Sequence, residues 1–172
     1  MEETEEIITY LVFKINNNEY AINVSKVLNI IEMQEVITIP DVPRVVKGLI
    51  QLQGSVIALV DLRIRFNAPS ENFYEHTNII IIDVPYENSK TQVGAIVDCV
   101  TEVIDIEDNE ILPTPQIAIK DYTKYIKGIF QNEQKKLIIL NTDILFTSDE
   151  ILLFNSHFKE GSVEETNQNL YE

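Results

Sequence analysis

PRVVKGLIQLQGSVIALVDLRIRF, residues 43–66, is echoed without a gap by TKYIKGIFQNEQKKLIILNTDILF, residues 123–146, so that Lys47-Gly48 aligns with Lys127-Gly128 and Phe66 with Phe146. The offset is 80 positions (127 − 47). Further back the echo continues in a second register at 73 positions (100 − 27), where Val27, Ile30, Ile31 and Pro40 meet Val100, Val103, Ile104 and Pro113. A short insertion separates the registers. A fixed offset marks a duplication, and two copies are too few for a solenoid. The chain reads as a pseudo-symmetric pair of lobes.

Working outward, the apolar residues come as β-branched runs of four to eight bounded by polar or Gly/Pro punctuation, the pattern of strands rather than helices. The first lobe offers Ile7 to Ile15, Tyr20 to Ile22, Val27 to Met33, Gly48 to Leu52 and Val56 to Leu59. The second offers Asn78 to Val84, Val93 to Val97, Val100 to Ile106, Ile126 to Gln131 and Leu137 to Leu140. Asn16-Asn17-Asn18 and Pro85-Tyr86-Glu87-Asn88 read as matching turns. Asp61 is placed to cap a short helix over Leu62 to Phe66, and Asn141 or Thr142 its counterpart. Thr147 to Glu150 has capping-box spacing ahead of Ile151 to Phe154, which predicts a C-terminal helix over about 147–156. The expected fold is all-β: two five-stranded SH3-like β-barrel lobes with short helices, since closing a sheet hides its edges. Lobe 1 is expected over about 7–66, a linker over 67–77, lobe 2 over about 78–146, and an acidic, unstructured tail over 157–172.

Bulk properties narrow the function classes. The 172 residues carry 13 Lys and Arg against 28 Asp and Glu, and a net charge of −15 repels nucleic acid and anionic lipid. No apolar run approaches the ~20 residues that cross a bilayer, and the acidic N-terminus MEETEEIIT lacks the basic segment of a secretory signal. A cytoplasmic location is expected. Cys99 is single and its flanks, Ala95 to Val103, read as a strand, which points to an inert buried thiol rather than a disulfide or nucleophile.

With these runs in view, Pro43 to Phe66 closely resembles the CheW family of bacterial chemotaxis coupling proteins. Tyr10 to Phe13, Glu19 to Ile22, Val27 to Ile31, Asn78 to Asp83, Gly94 to Val103, Ile111 to Pro115 and Tyr125 to Ile129 resemble it in the same order, over roughly residues 7–154. The resemblance implies two five-stranded barrels side by side, no catalysis and no cofactor. It further implies an adaptor that holds the histidine kinase CheA beneath the cytoplasmic tips of methyl-accepting chemoreceptors, and so reaches membrane-associated arrays through its partners.

Carried over position by position, the resemblance implies receptor contacts at Val27, Asn29, Gly48, Gln53 and Gly54, near the groove between the lobes. Val27 also reads as ordinary core, and the glycines as strand boundaries that need positive φ or close approach. The family often has Arg where Gln53 stands and an acid where Asn29 stands, so an ion pair is replaced here by two neutral amides. Hydrogen bonds with charge assistance contribute ~1.5–3 kcal/mol against ~1 without, which implies receptor binding that is less electrostatic. For the kinase, Val36, Ile37 and Ile39 on the first lobe and Leu112 and Ile117 on the second are candidate apolar anchors, each equally readable as core.

Enzyme chemistry finds no residues to carry it. His76 lies in the linker and His157 in the tail, and no triad assembles around either. Asp105, Glu107 and Asn109 imitate a calcium loop, but Glu110 stands where Gly is needed and Gln116 where Glu is needed. No phosphate-binding glycine loop is present. The alternative that remains is a β-barrel module binding a small ligand between the lobes, which would show a large cavity with converging polar groups.

Overall fold

The computed structural model describes residues 5–68, 76–114 and 124–151. The ten expected strands are present: β1 (Ile7–Ile15), β2 (Asn18–Asn23), β3 (Val27–Glu32), β4 (Val46–Leu52), β5 (Ser55–Asp61), β6 (Asn78–Tyr86), β7 (Ser89–Val97), β8 (Cys99–Glu107), then, after the two-residue β9 (Leu112–Pro113), β10 (Ile126–Gln131) and β11 (Lys136–Leu140). Helix α1 (Leu62–Arg65) follows β5. Its cap is Asp61, whose Oδ1 accepts from the Arg63 N–H at 3.0 Å; Asn141 accepts in the same way from Asp143 at 3.1 Å. At the start of the last helix the Thr147 Oγ1 accepts from the Glu150 N–H, and the Glu150 carboxylate accepts from the Thr147 N–H. That helix is described from 148 to 151; the rest of its expected span, and the tail, lie outside the described residues.

The strands do not sort into lobes by sequence order. One sheet runs β8-β1-β2-β11-β10-β9 and the other β3-β6-β7-β5-β4, so the first hairpin of each repeat joins the sheet of the other repeat. This corrects the expected division at 67–77. The reason is loop length. Both β2 and β8 are antiparallel to β1, so β3, the equivalent of β8, would lie parallel to β2 if it stayed in the same sheet. Parallel strands of one sheet require a crossover of a dozen or more residues, whereas Val24–Lys26 supplies three and Asp98, between β7 and β8, supplies one. Each link instead carries the chain straight into the other sheet.

Both sheets curl. Five residue steps separate Glu107, at one edge of the first sheet, from Leu112 at the other, and fully extended they reach about 18 Å. Five flat strand spacings would need about 24 Å, so the edges must bend toward each other. In the second sheet Glu32 and Ile37 stand in the same relation: Ile37 bridges to Leu49 on β4, and the Gln34 Nε2 donates to the Gln51 carbonyl at 2.9 Å. That bridge is the counterpart of β9, which makes the first sheet six-stranded rather than five.

Curling leaves three apolar layers. Tyr10, Val12, Ala21, Ile106, Phe130, Leu137 and Ile139 fill the first sheet, and Ile50, Ile57, Leu59, Ile79, Ile81 and Ile96 fill the second. The largest layer lies between the sheets, where Leu11, Phe13 and Ile15 of β1 meet Ile80, Ile82 and Val84 of β6. β1 and β6 are therefore buried on both faces, which accounts for their unbroken apolar runs. Phe13, Tyr20 and Phe66 stack through this layer with ring centroids 5.9 and 5.0 Å apart, and Phe66 meets Tyr125 edge to face at 6.2 Å, tying α1 to both repeats.

Candidate docking surfaces

The duplication sets equivalent residues at equivalent places. Ile37 pairs with Leu49 and Leu112 with Ile129, and the partners are 80 positions apart (129 − 49). Ile37 is 53% exposed and Leu112 60%, so each sheet carries a large apolar side chain at its outer edge. Next to them in sequence, the bulges match as well. β3 slips at Leu28, between Val27 and Asn29, and β8 slips at Thr101, 73 positions later (101 − 28). Beyond the bulge, Ile30 and its counterpart Val103 also face solvent, as do Leu28, Ile7 and Ile144. Sequence reading missed these five. The 73-residue offset relates Ile30 to Val103, but burial on one face of an edge strand has no signature in an apolar run.

The other expected anchors separate. Val36 packs against the interior of the second sheet and Ile39 is half-buried, while Ile117 lies outside the described residues. Val27 opens β3 opposite Ile82 and packs on the layer between the sheets, leaving part of its side chain accessible. Asn29 is exposed and its Oδ1 accepts from the Ile30 N–H at 2.9 Å. Leu52 and Ser55 are paired, so Gln53 and Gly54 form a two-residue hairpin loop; their φ values of 51° and 80° are those of a type I′ turn. Asn29 and Gln53 thus sit on β3 and on the β4–β5 turn, at opposite edges of one sheet, and do not hydrogen-bond each other. The amide pair expected in place of an ion pair is not formed within the chain.

Gly48 is buried at φ 143°. A β-carbon there would fall inside the contact distance of the Ile37 carbonyl oxygen and 2.9 Å from Val36 Cγ1, so its first role is structural. Its equivalent Gly128 is crowded in the same way by the Leu112 carbonyl.

Two arginines on α1, the buried Arg63 and the half-buried Arg65, unread as such in the sequence, fix the frame beneath these surfaces. Arg63 is 1% exposed and holds Asp61 in two parallel bonds, Nε to Oδ1 at 3.0 Å and Nη2 to Oδ2 at 2.9 Å, with Asp98 at 3.7 Å. Arg65 donates to the Tyr125 hydroxyl at 3.0 Å and the Leu145 carbonyl at 2.9 Å and is paired with Glu150, which joins α1 to the last helix.

A small polar pocket of about 120 Å³ is lined by Tyr10, Asn23, Lys26, Lys127, Leu140, Asn141, Thr142 and Asp143. Burial, and then the Asp108 and Glu6 carboxylates, push the Tyr10 phenol above its ordinary value. The pocket is well below the ~300–1,000 Å³ that takes a drug-sized ligand, and the space between the sheets is filled by side chains. Among the described residues, then, the space between the sheets gives no support to the small-ligand alternative.

The CheW-like domain model matches residues 9–150. The chain belongs to the CheW-like family. It is 34% identical over 139 residues to the chemotaxis protein CheW of Bacillus subtilis, covering 81% of this chain and 86% of that one. To the CheW of Klebsiella aerogenes it is 29% identical over 147 residues, 86% of each chain. Among solved structures it is similar to the scaffolding protein TtCheW of Thermoanaerobacter tengcongensis, with a TM-score of 0.74 and 28% identity over 84% of this chain and 96% of that one. The two-sheet frame is therefore a CheW frame.

Proposed function

We propose that this CheW-like chain is a non-catalytic chemotaxis scaffold that couples chemoreceptor tips to the histidine kinase CheA. The observation that carries the reading is the pair of equivalent apolar edges, Ile37 on one sheet and Leu112 on the other, on a frame whose interior is already filled. A scaffold needs separate rigid faces for separate partners, and strand edges held by paired backbone bind with little ordering cost. In this reading Ile37 and Leu112 face the kinase. Val27, Asn29 and the Gln53-Gly54 turn face the receptor, and Gly48 acts by holding strand β4 rather than by contact. Among the described residues no helix is long and apolar enough to cross a membrane, and the protein reaches receptor arrays through its partners.

Co-sedimentation of the full chain with CheA and with a soluble receptor signalling fragment, each alone and both together, tests this. Capture of each partner separately and a ternary complex are expected. Failure of the native chain to bind either overturns the scaffold reading.

A further inference from the structure

The small polar pocket at the mouth of the first sheet has an equivalent in the second, and the two differ. Tyr10 faces Ile104 as Ile79 faces Ile31, 73 positions apart (104 − 31), and their other neighbours are Asn23 and Ile96. Asp143 corresponds to Arg63 at the 80-residue offset (143 − 63). In the second sheet these places are closed: Ile79, Ile96 and Arg63 are all buried, the last against Asp61 and Asp98. In the first sheet the same places hold a phenol, a carboxamide and an exposed carboxylate around open space.

Hydrogen-bond donors dominate that space. Tyr10 is 2% exposed and its hydroxyl has no partner among the described residues, a state that costs free energy unless a ligand or water completes it. The carboxamide oxygens of Asn23 and Asn141 already accept from the Ser25 and Asp143 N–H groups, so each amide has its NH2 left to offer. Among the described residues Lys26 and Lys127 reach only distant carboxylates, Asp143 at 3.8 Å and Asp108 at 3.9 Å, and such long, exposed pairs are held weakly. The facing negative groups are Asp143, with Asp108 and Glu6 beside the phenol, so the two lysines are what makes the space receptive to further negative charge. A volume of about 120 Å³ equals about four waters at ~30 Å³ each, enough for a compact group of four or five heavy atoms.

We propose that this mouth binds a small oxyanion, a carboxylate or a phosphate, with Tyr10, Lys26 and Lys127 as its partners. The proposal does not rest on the kinase reading: Leu112 and Ile37 do not line the pocket, and its test reads anion binding alone.

The test is a titration of the full-length, nitrogen-labelled chain with inorganic phosphate and, separately, acetate, at an ionic strength held constant with sodium chloride. Saturable shifts are expected at the Ser25, Lys127 and Asp143 amides. Tyr10→Phe deletes only an unpartnered hydroxyl, so the fold is retained, yet affinity should fall about tenfold or more, the worth of one charge-assisted hydrogen bond. Lys127→Ala should do the same, and Lys136→Ala, at the exposed first residue of β11, should change nothing. Binding of either anion supports the site and names its preferred class. Shifts that chloride alone reproduces, that never saturate, or that are equal in Tyr10→Phe overturn it.

Discussion

Ile37 and Leu49 exchange two backbone hydrogen bonds, N–H to carbonyl in each direction at 2.8 Å, and so hold the segment after β3 against Gly48. With φ 143° and no room for a β-carbon, Gly48 combines backbone strain with a steric clash on substitution. Gly48→Ala should therefore lose about 2–4 kcal/mol of stability, from strain and overpacking together. Urea unfolding measures it. A loss below ~1 kcal/mol would show that the bridge yields easily. Failed receptor binding by bulkier Gly48 variants is then a folding defect first.

Gln53 occupies the first place of a type I′ turn at φ 51°, a conformation that Asn adopts more readily than Gln. Gln53→Asn should stabilise the chain by about 0.5–1 kcal/mol, read from the urea midpoint at unchanged slope. With a neutral side chain here and at Asn29, receptor-fragment affinity should fall only shallowly as salt rises, and Gln53→Arg should steepen that dependence. A steep salt dependence in the native chain would contradict the neutral-contact reading.

Asp61 is fully buried and depends on Arg63 for its charge balance. Arg63→Met should cost about 3–5 kcal/mol, because it leaves that carboxylate unpaired in the interior. Asp61→Asn added to it keeps an acceptor for the α1 cap and removes the stranded charge, so the double variant should be more stable than Arg63→Met alone. Equal or greater loss in the double variant would show that the pair is not coupled as drawn.

Tyr10 sets an alkaline limit. Its pKa lies above 10.0 in the folded chain, through burial first and then Asp108 and Glu6. The folded state thus keeps the phenolic proton longer than the unfolded state does. This group's contribution is complete below about pH 10 and is lost as the pH rises through the folded value. The difference in unfolding free energy between the native chain and Tyr10→Phe should be flat below pH 10 and move against the native chain above it. A difference independent of pH would place the phenol in water.

Strand positions and caps were legible because local chemistry decides them: burial on both faces requires the unbroken runs from Ile7 and Asn78, and Asp61, Asn141 and Thr147 have few other roles at those positions. Strand exchange between the repeats was hidden because β1 and β6 offer the same edges to the same neighbours, and self-similarity cannot choose between two equivalent slots. Only the brevity of the Val24–Lys26 and Asp98 links decides it, through what a crossover requires. The receptor residues were placed by resemblance, and their geometry then divides them into a half-buried Val27, an exposed turn at Gln53 and a structural Gly48. The burial of Arg63 and Arg65 was not legible in the sequence, because it depends on partners 35 and 85 positions away, Asp98 for Arg63 (98 − 63) and Glu150 for Arg65 (150 − 65).

Leu112 and Ile37 separate docking from folding. Each is more than half exposed, so replacing it by Asp should shift stability by no more than ~0.5 kcal/mol. An exposed leucine or isoleucine that fills a partner's pocket is a binding anchor, and a carboxylate in its place would be desolvated without a counter-charge. If these edges meet the kinase, Leu112→Asp and Ile37→Asp should each weaken CheA binding at least tenfold while leaving receptor-fragment affinity within about twofold. Calorimetric titration with each partner separates the two effects. Because the edges are equivalent by duplication but face different neighbours, the double variant should lose both kinase contacts. Unchanged CheA affinity in that double variant would move the kinase surface elsewhere on the frame.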